Sequence, residues 1–162
     1  MDTQMSQTGS YRDLISVLLE IEQDLRTELE HTFTTPEPQE AMLFVVSEIG
    51  EVADAIVHSD KFARNDQHKV RNFEAELAQV LFMSLTVLRG LQDYELTESQ
   101  VQQLNDIIFL TKIELNQLYW MGFVKDVIDL IYSHGLDPVE LIQNESDKLR
   151  RKFGNTNSDG VL

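Results

Sequence analysis

The stretch "SEIGE" at positions 47–51 puts Glu48 and Glu51 three residues apart inside the apolar run "MLFVVSEIGEVADAIV". On a helix, residues three apart project from one face, so the two carboxylates stand side by side and repel. Partial burial of that face raises the cost, because a carboxylate in a low dielectric needs a counter-charge. A divalent cation supplies one: Mg²⁺ and Mn²⁺ favour oxygen ligands, and Mg²⁺ is commonly held by a few carboxylates with waters and substrate phosphates. A second pair at the same spacing, Glu76 and Gln79, lies in "EAELAQVLFMSL". Asp54, three residues beyond Glu51, is an additional metal-ligand candidate that helical rotation carries partly round the helix. Gly50, between the first two acids, costs a helix ~1 kcal/mol relative to Ala, and is expected to let a neighbouring backbone or a hydrated metal come close. Glu114 and Gln117 repeat the spacing but rank below Glu76. Lys148, Arg151 and Lys152 cluster in an otherwise acidic chain. They are candidates for phosphate contact, or cations that complement a helix C-terminus.

Helices must position these side chains. The 162 residues suit one domain, and 7 Gly with 3 Pro leave little material for the turns of a β-sandwich or barrel. Without Cys, disulfides, thiolate zinc sites and cysteine nucleophiles are excluded. The 13 Lys+Arg against 28 Asp+Glu give a net charge of -15, which argues against nucleic acid or an anionic membrane surface as partner. No apolar run approaches the ~20 residues of a membrane span, and the first ten residues lack the pattern of a secretory leader, so a cytoplasmic protein is expected. The four histidines show no zinc-binding spacing, and loop or cap roles are expected for them. Neither a Gly-rich phosphate loop nor a nucleophile elbow is present.

Apolar periodicity predicts an all-α bundle of about five helices over residues 10–153, with a disordered stretch at 1–9 and a flexible tail at 154–162. The first helix is expected from Ser10 to about Glu30, and the prolines of "TTPEPQ" end it. The second covers Gln39 to His58, with Met42, Val45, Val46, Ile49, Val52 and Ile56 as its buried stripe. The third covers about Val70 to Leu91 and buries Phe73, Leu77, Val80, Leu81, Ser84, Val87 and Leu88. A fourth, opened by a Thr97/Gln100 capping box, could run to Ser133 with a break near Gly122, and its Phe109, Tyr119, Trp120 and Phe123 are expected to pack in the core or between subunits. Asp137 caps the fifth, Pro138 takes its first position, Glu140 is the expected capping-box partner, and the helix ends near Phe153.

"SEIGEVADAI" and "ELAQVL", with 24 residues between Glu51 and Glu76, together with the tail "GLDPVELIQNESDKLRRKF", resemble the MazG-like branch of the all-α nucleoside triphosphate pyrophosphatases. The signature of that superfamily is ExxE, a spacer of comparable length, and ExxD. The resemblance covers about residues 39–90 and 134–153; residues 91–133 have no counterpart in it. It implies a Mg²⁺-dependent hydrolase, with Mn²⁺ as a possible substitute, that splits a nucleoside triphosphate into monophosphate and pyrophosphate and assembles as a homodimer or homotetramer. By motif position Glu48, Glu51, Glu76 and Gln79 become the metal ligands, with Glu48 as candidate general base. Metals held there would neutralise the triphosphate, orient it and lower the pKa of an attacking water. Ser47 stands where many members carry a further Glu, and Gln79 stands where Asp is expected, offering only a neutral carbonyl oxygen. Two alternatives stay open: a catalytically weakened or inactive module kept for nucleotide binding or oligomer assembly, and a phosphoribosyl-ATP pyrophosphohydrolase.

Overall fold

The computed structural model describes residues 2–58, 72–92 and 95–154, with side chains from residue 11 onward. Within them lie seven α-helices and no strand: α1 Asp2–Glu28, α2 Pro38–Val57, α3 Phe73–Gln92, α4 Glu98–Gln102, α5 Asn105–Thr111, α6 Gln117–Ser133 and α7 Pro138–Leu149, the last continued by a π-helical turn over Arg150–Gly154. None of the described helices is long and apolar enough to cross a membrane.

The centre of the bundle is α3, which packs against α1, α2, α6 and α7. Its sequence explains why: Leu77, Val80, Leu81, Ser84, Val87 and Leu88 are buried as the stripe predicts, but so are Ala78, Phe82, Leu85 and Thr86, so the helix is covered on almost every side. Apolar residues all round a helix mark one surrounded by others. On α2, Met42 and Val45 are buried, whereas Ile49 and Ile56 are exposed and Ala41 and Ala55 take inward positions instead. The expected stripe on α2 is therefore buried at Met42 and Val45 and half-buried at Val46 and Val52, while Leu43, Phe44, Ile49, Ile56 and Val57 are apolar side chains left exposed at several positions round the helix.

The start of α2 lies against the end of α3, so the two helices run antiparallel. A Cβ on Gly90 would sit 2.8 Å from Pro38 Cγ, a contact with a stiff ring that cannot swing aside. Gly90→Ala is expected to lower stability by ~1–3 kcal/mol through overpacking; a urea unfolding midpoint equal to that of the native chain would contradict this. Gly50, by contrast, meets nothing within 4 Å of a Cβ among the described residues, so no close approach of these explains it.

Several boundaries differ from those the sequence suggests. Helix α1 begins at Asp2, so Ser10 lies inside it and is not its cap. The long fourth helix is three pieces, broken after Gln102 and between Thr111 and Gln117, not at Gly122. The Thr97/Gln100 capping box is present, Lys112 ends α5 in the left-handed conformation at φ 60°, and Asn116 caps α6 by accepting from Tyr119 N. Trp120 is buried and donates its Nε1–H to Glu114 O at 2.9 Å, closing the second break, while Phe109 is exposed. Gly135 follows α6 at φ 73°, the left-handed position for which glycine has no Cβ clash. Asp137 caps α7 by accepting from Val139 N, with Pro138 at the first position. The expected tail falls outside the described residues beyond Gly154.

Candidate metal centre

Because α2 and α3 are antiparallel, Glu48 and Glu51 on one face Glu76 and Gln79 on the other. One carboxylate oxygen from each of Glu48, Glu51 and Glu76 lies within 4.8 Å of the other two, and among the described residues this is the one group of three or more acidic or histidine side chains that closes to such spacing. Glu76 is buried, 8% exposed, and Glu48 and Glu51 are half-buried. Three carboxylates on two rigid helices at that separation form an all-oxygen donor set suited to a hard divalent cation, for which thiolate and imidazole ligands are not required.

Gln79 enters the cluster through its amide nitrogen. Only one amide orientation matches donors to acceptors: the NH₂ donates to Glu48 Oε2 at 2.6 Å and to Glu76 Oε2 at 3.2 Å, and the carbonyl accepts from Lys148 Nζ at 3.2 Å. The opposite orientation would aim a carbonyl at two carboxylates and an NH₂ at an ammonium. In this orientation the Gln79 donors take the cationic role between two acids; with a cation between them, its carbonyl oxygen is the ligand Gln79 would offer.

Crowding of the acids shows in their protonation. The Glu48 carboxyl is pushed from the usual 4.5 up to about 7, first by burial, then by its hydrogen bond with Glu51, then by the charges of Glu51, Glu76 and Glu145. A carboxyl whose folded value is raised stabilises the folded chain in its protonated form. That contribution is complete below about pH 4 and is lost as pH rises through about 7. Relative to Glu48→Gln, the native chain is therefore expected to lose thermal stability between about pH 5 and pH 8 in chelator-treated buffer; parallel melting-temperature profiles for the two proteins would refute it.

The other candidates separate. Asp54 lies one turn beyond Glu51, but its carboxylate meets His58 Nδ1 at 3.2 Å, and it is not one of the three acids that converge. Glu114 accepts from Asn116 Nδ2 at 3.0 Å in the connection before α6, so it shares no helix face with Gln117. Lys148 reaches the cluster through Gln79, and with Arg151 it lines a cavity of about 210 Å³ between α3 and α7. Lys152 sits over the Phe153 ring at 5.3 Å. Among the histidines, His58 and His134 end α2 and α6, His31 is exposed, and His68 lies outside the described residues.

Glu145 is a residue that sequence reasoning missed. It is 7% exposed on α7, its carboxyl is pushed up by burial and drawn down by Lys148 and Lys152, and its charge acts on Glu48. The signal was available: Leu141, Ile142, Glu145 and Ser146 form the buried stripe of α7, so Glu145 is an acid in an apolar register, as Glu48 is.

Comparison of the chain with protein-family models, with curated proteins and with solved structures finds no match.

Proposed function

We propose that the chain is a divalent-cation-dependent nucleoside triphosphate pyrophosphohydrolase, using Mg²⁺ or Mn²⁺ and acting on the cytoplasmic nucleotide pool. The observation that carries this reading is the convergence of Glu48, Glu51 and Glu76 within 4.8 Å from two antiparallel helices. It is supported by Lys148, which reaches the acids through Gln79, by Arg151 in the cavity that Lys148 lines, and by the resemblance of the same segments to the MazG-like pyrophosphatases. In this role Glu48, Glu51 and Glu76 hold the cation, which supplies charge neutralisation for a triphosphate and activation of water. Lys148 and Arg151 bind phosphate oxygens as donors. Glu48 is also the candidate general base, taking a proton from the attacking water. The exposed apolar residues Leu43, Phe44, Ile49 and Ile56 on α2 favour a homodimer or homotetramer that covers part of them.

The test is incubation of the purified chain with canonical, deoxy and modified nucleoside triphosphates and phosphoribosyl-ATP, with Mg²⁺ or Mn²⁺. Monophosphate and pyrophosphate are the expected products. Release of neither, with Glu51→Gln indistinguishable from the native chain, sinks the proposal. Gln79 supports a second reading, a nucleotide-binding or assembly module without turnover, because it removes one anionic ligand and directs donors at the acids. Calorimetric nucleotide binding without hydrolysis selects that reading, and activity gained in Gln79→Asp identifies it as a degenerate form of the same site.

A further inference from the structure

The Gln79 side chain touches both halves of the candidate site at once. Its NH₂ bridges Glu48 and Glu76, at 2.6 Å and 3.2 Å, and its carbonyl takes a hydrogen bond from Lys148 Nζ at 3.2 Å. Lys148 also lines the 210 Å³ cavity between α3 and α7, along with Arg151, Asn144 and Asn72. Two acidic side chains, Glu74 and Glu145, share that lining, so an anion there depends on the cations being turned toward it.

A cation entering between the acids cannot share the space with two N–H donors. The amide has to turn over, which brings its carbonyl oxygen to the cation as a neutral ligand. The same half-turn places the NH₂ against the Lys148 ammonium, a contact between donors with no acceptor. Lys148 then has to leave the amide, and the cavity it already lines is where its ammonium can go. We propose that Gln79 and Lys148 couple the two halves of the site: cation entry turns the Gln79 amide over and releases Lys148 to bind an anionic phosphate group in the α3–α7 cavity. This rests on the metal centre proposed above and goes beyond it, since it makes the substituted residue the link between cation and phosphate. Binding linkage is reciprocal, so a phosphate that holds Lys148 strengthens cation binding by the same factor.

The coupling predicts a non-additive pair of substitutions. Lys148→Met removes the group that holds the amide in its metal-free orientation, so Mn²⁺ binding to the full chain without nucleotide, read from the electron paramagnetic resonance signal of free Mn²⁺, becomes tighter. In Gln79→Met no amide remains to be locked, and there the gain from Lys148→Met is expected to be smaller by roughly fivefold or more. Equal gains in both backgrounds are what simple charge repulsion by Lys148 produces, and overturn the coupling while leaving the metal centre standing. If the native chain binds no Mn²⁺ at millimolar concentration, the metal centre and the coupling fall together. A measurement on the native chain requires no variant to fold: Mg²⁺ is expected to raise the rate at which an amine-acetylating reagent labels Lys148, read by mass spectrometry, several-fold. An unchanged rate under conditions where Mg²⁺ binds overturns the proposal.

Discussion

Glu22→Leu is expected to destabilise the chain by about 3–5 kcal/mol, the cost of leaving a buried charge without its partner. Glu22 is fully buried and Arg26, one turn on, is 4% exposed. Their Nε to Oε2 distance is 3.1 Å, and Glu22 also accepts from Thr86 Oγ1 at 2.8 Å and from Arg89 Nε at 2.5 Å. Every carboxylate oxygen has donors, which is the condition under which a buried pair holds. Arg26 is little exposed although it lines a cavity with Phe33 and Met83: its guanidinium lies 4.4 Å from the Phe33 ring centre and 5.0 Å from that of Phe82, and burial draws its pKa down. Urea unfolding should show the midpoint falling with little change in slope. The double variant Glu22→Leu with Arg26→Met should recover most of the loss, because an apolar pair of similar volume avoids the desolvation. Arg89, 25% exposed, can turn toward solvent in that background. A loss in Glu22→Leu under about 1 kcal/mol would mean that the network adds little beyond a surface ion pair.

That network was invisible to apolar periodicity for the same reason Glu145 was. A stripe drawn through Leu18, Ile21 and Leu25 skips Glu22, yet Glu22 is the residue four after Leu18 and three before Leu25 and is more buried than Ile21. Periodicity read only on apolar letters assigns a polar residue in the stripe to the surface. The all-helical class, the α3 stripe, the Thr97 capping box, the Asp137 cap and the Gly135 turn follow from local chemistry, and local chemistry is what a sequence carries most directly. The breaks within 98–133 depend on Lys112 taking a left-handed conformation and on Trp120 bonding the Glu114 carbonyl, and neither is written in residue type. The exposure of Ile49 and Ile56 on the expected α2 stripe is a tertiary effect, since it depends on which neighbours cover the second half of that helix. The candidate site was legible as far as its acids went, since Glu48, Glu51 and Glu76 converge. The direction of the Gln79 amide was not, because it is decided by Lys148 arriving from α7.

Glu76→Gln is expected to have opposite effects on binding and on stability, and that opposition separates a working site from a structural one. Cation binding should weaken by at least about a hundredfold, since altering even the outer partners of a metal ligand costs roughly ten- to a hundredfold. Pyrophosphate release should fall with it. The metal-free chain, however, should melt at the same temperature or higher. Glu76 is 8% exposed, and its charge raises the Glu48 carboxyl. Like charges held together in a partly buried face destabilise the fold, and neutralising one relieves the others. The Gln79 amide would still have Glu48 to donate to. A structural acid behaves in the reverse manner, as Glu22 is expected to: the attraction lost exceeds the repulsion relieved, and the melting temperature drops. If Glu76→Gln melts several degrees lower while Mn²⁺ binding stays as tight as in the native chain, the cluster is a packing feature and the metal centre is refuted. If stability holds and binding is lost, the repulsion among the acids outweighs what Glu76 contributes through its other contacts, and binding a cation is the role that remains for it.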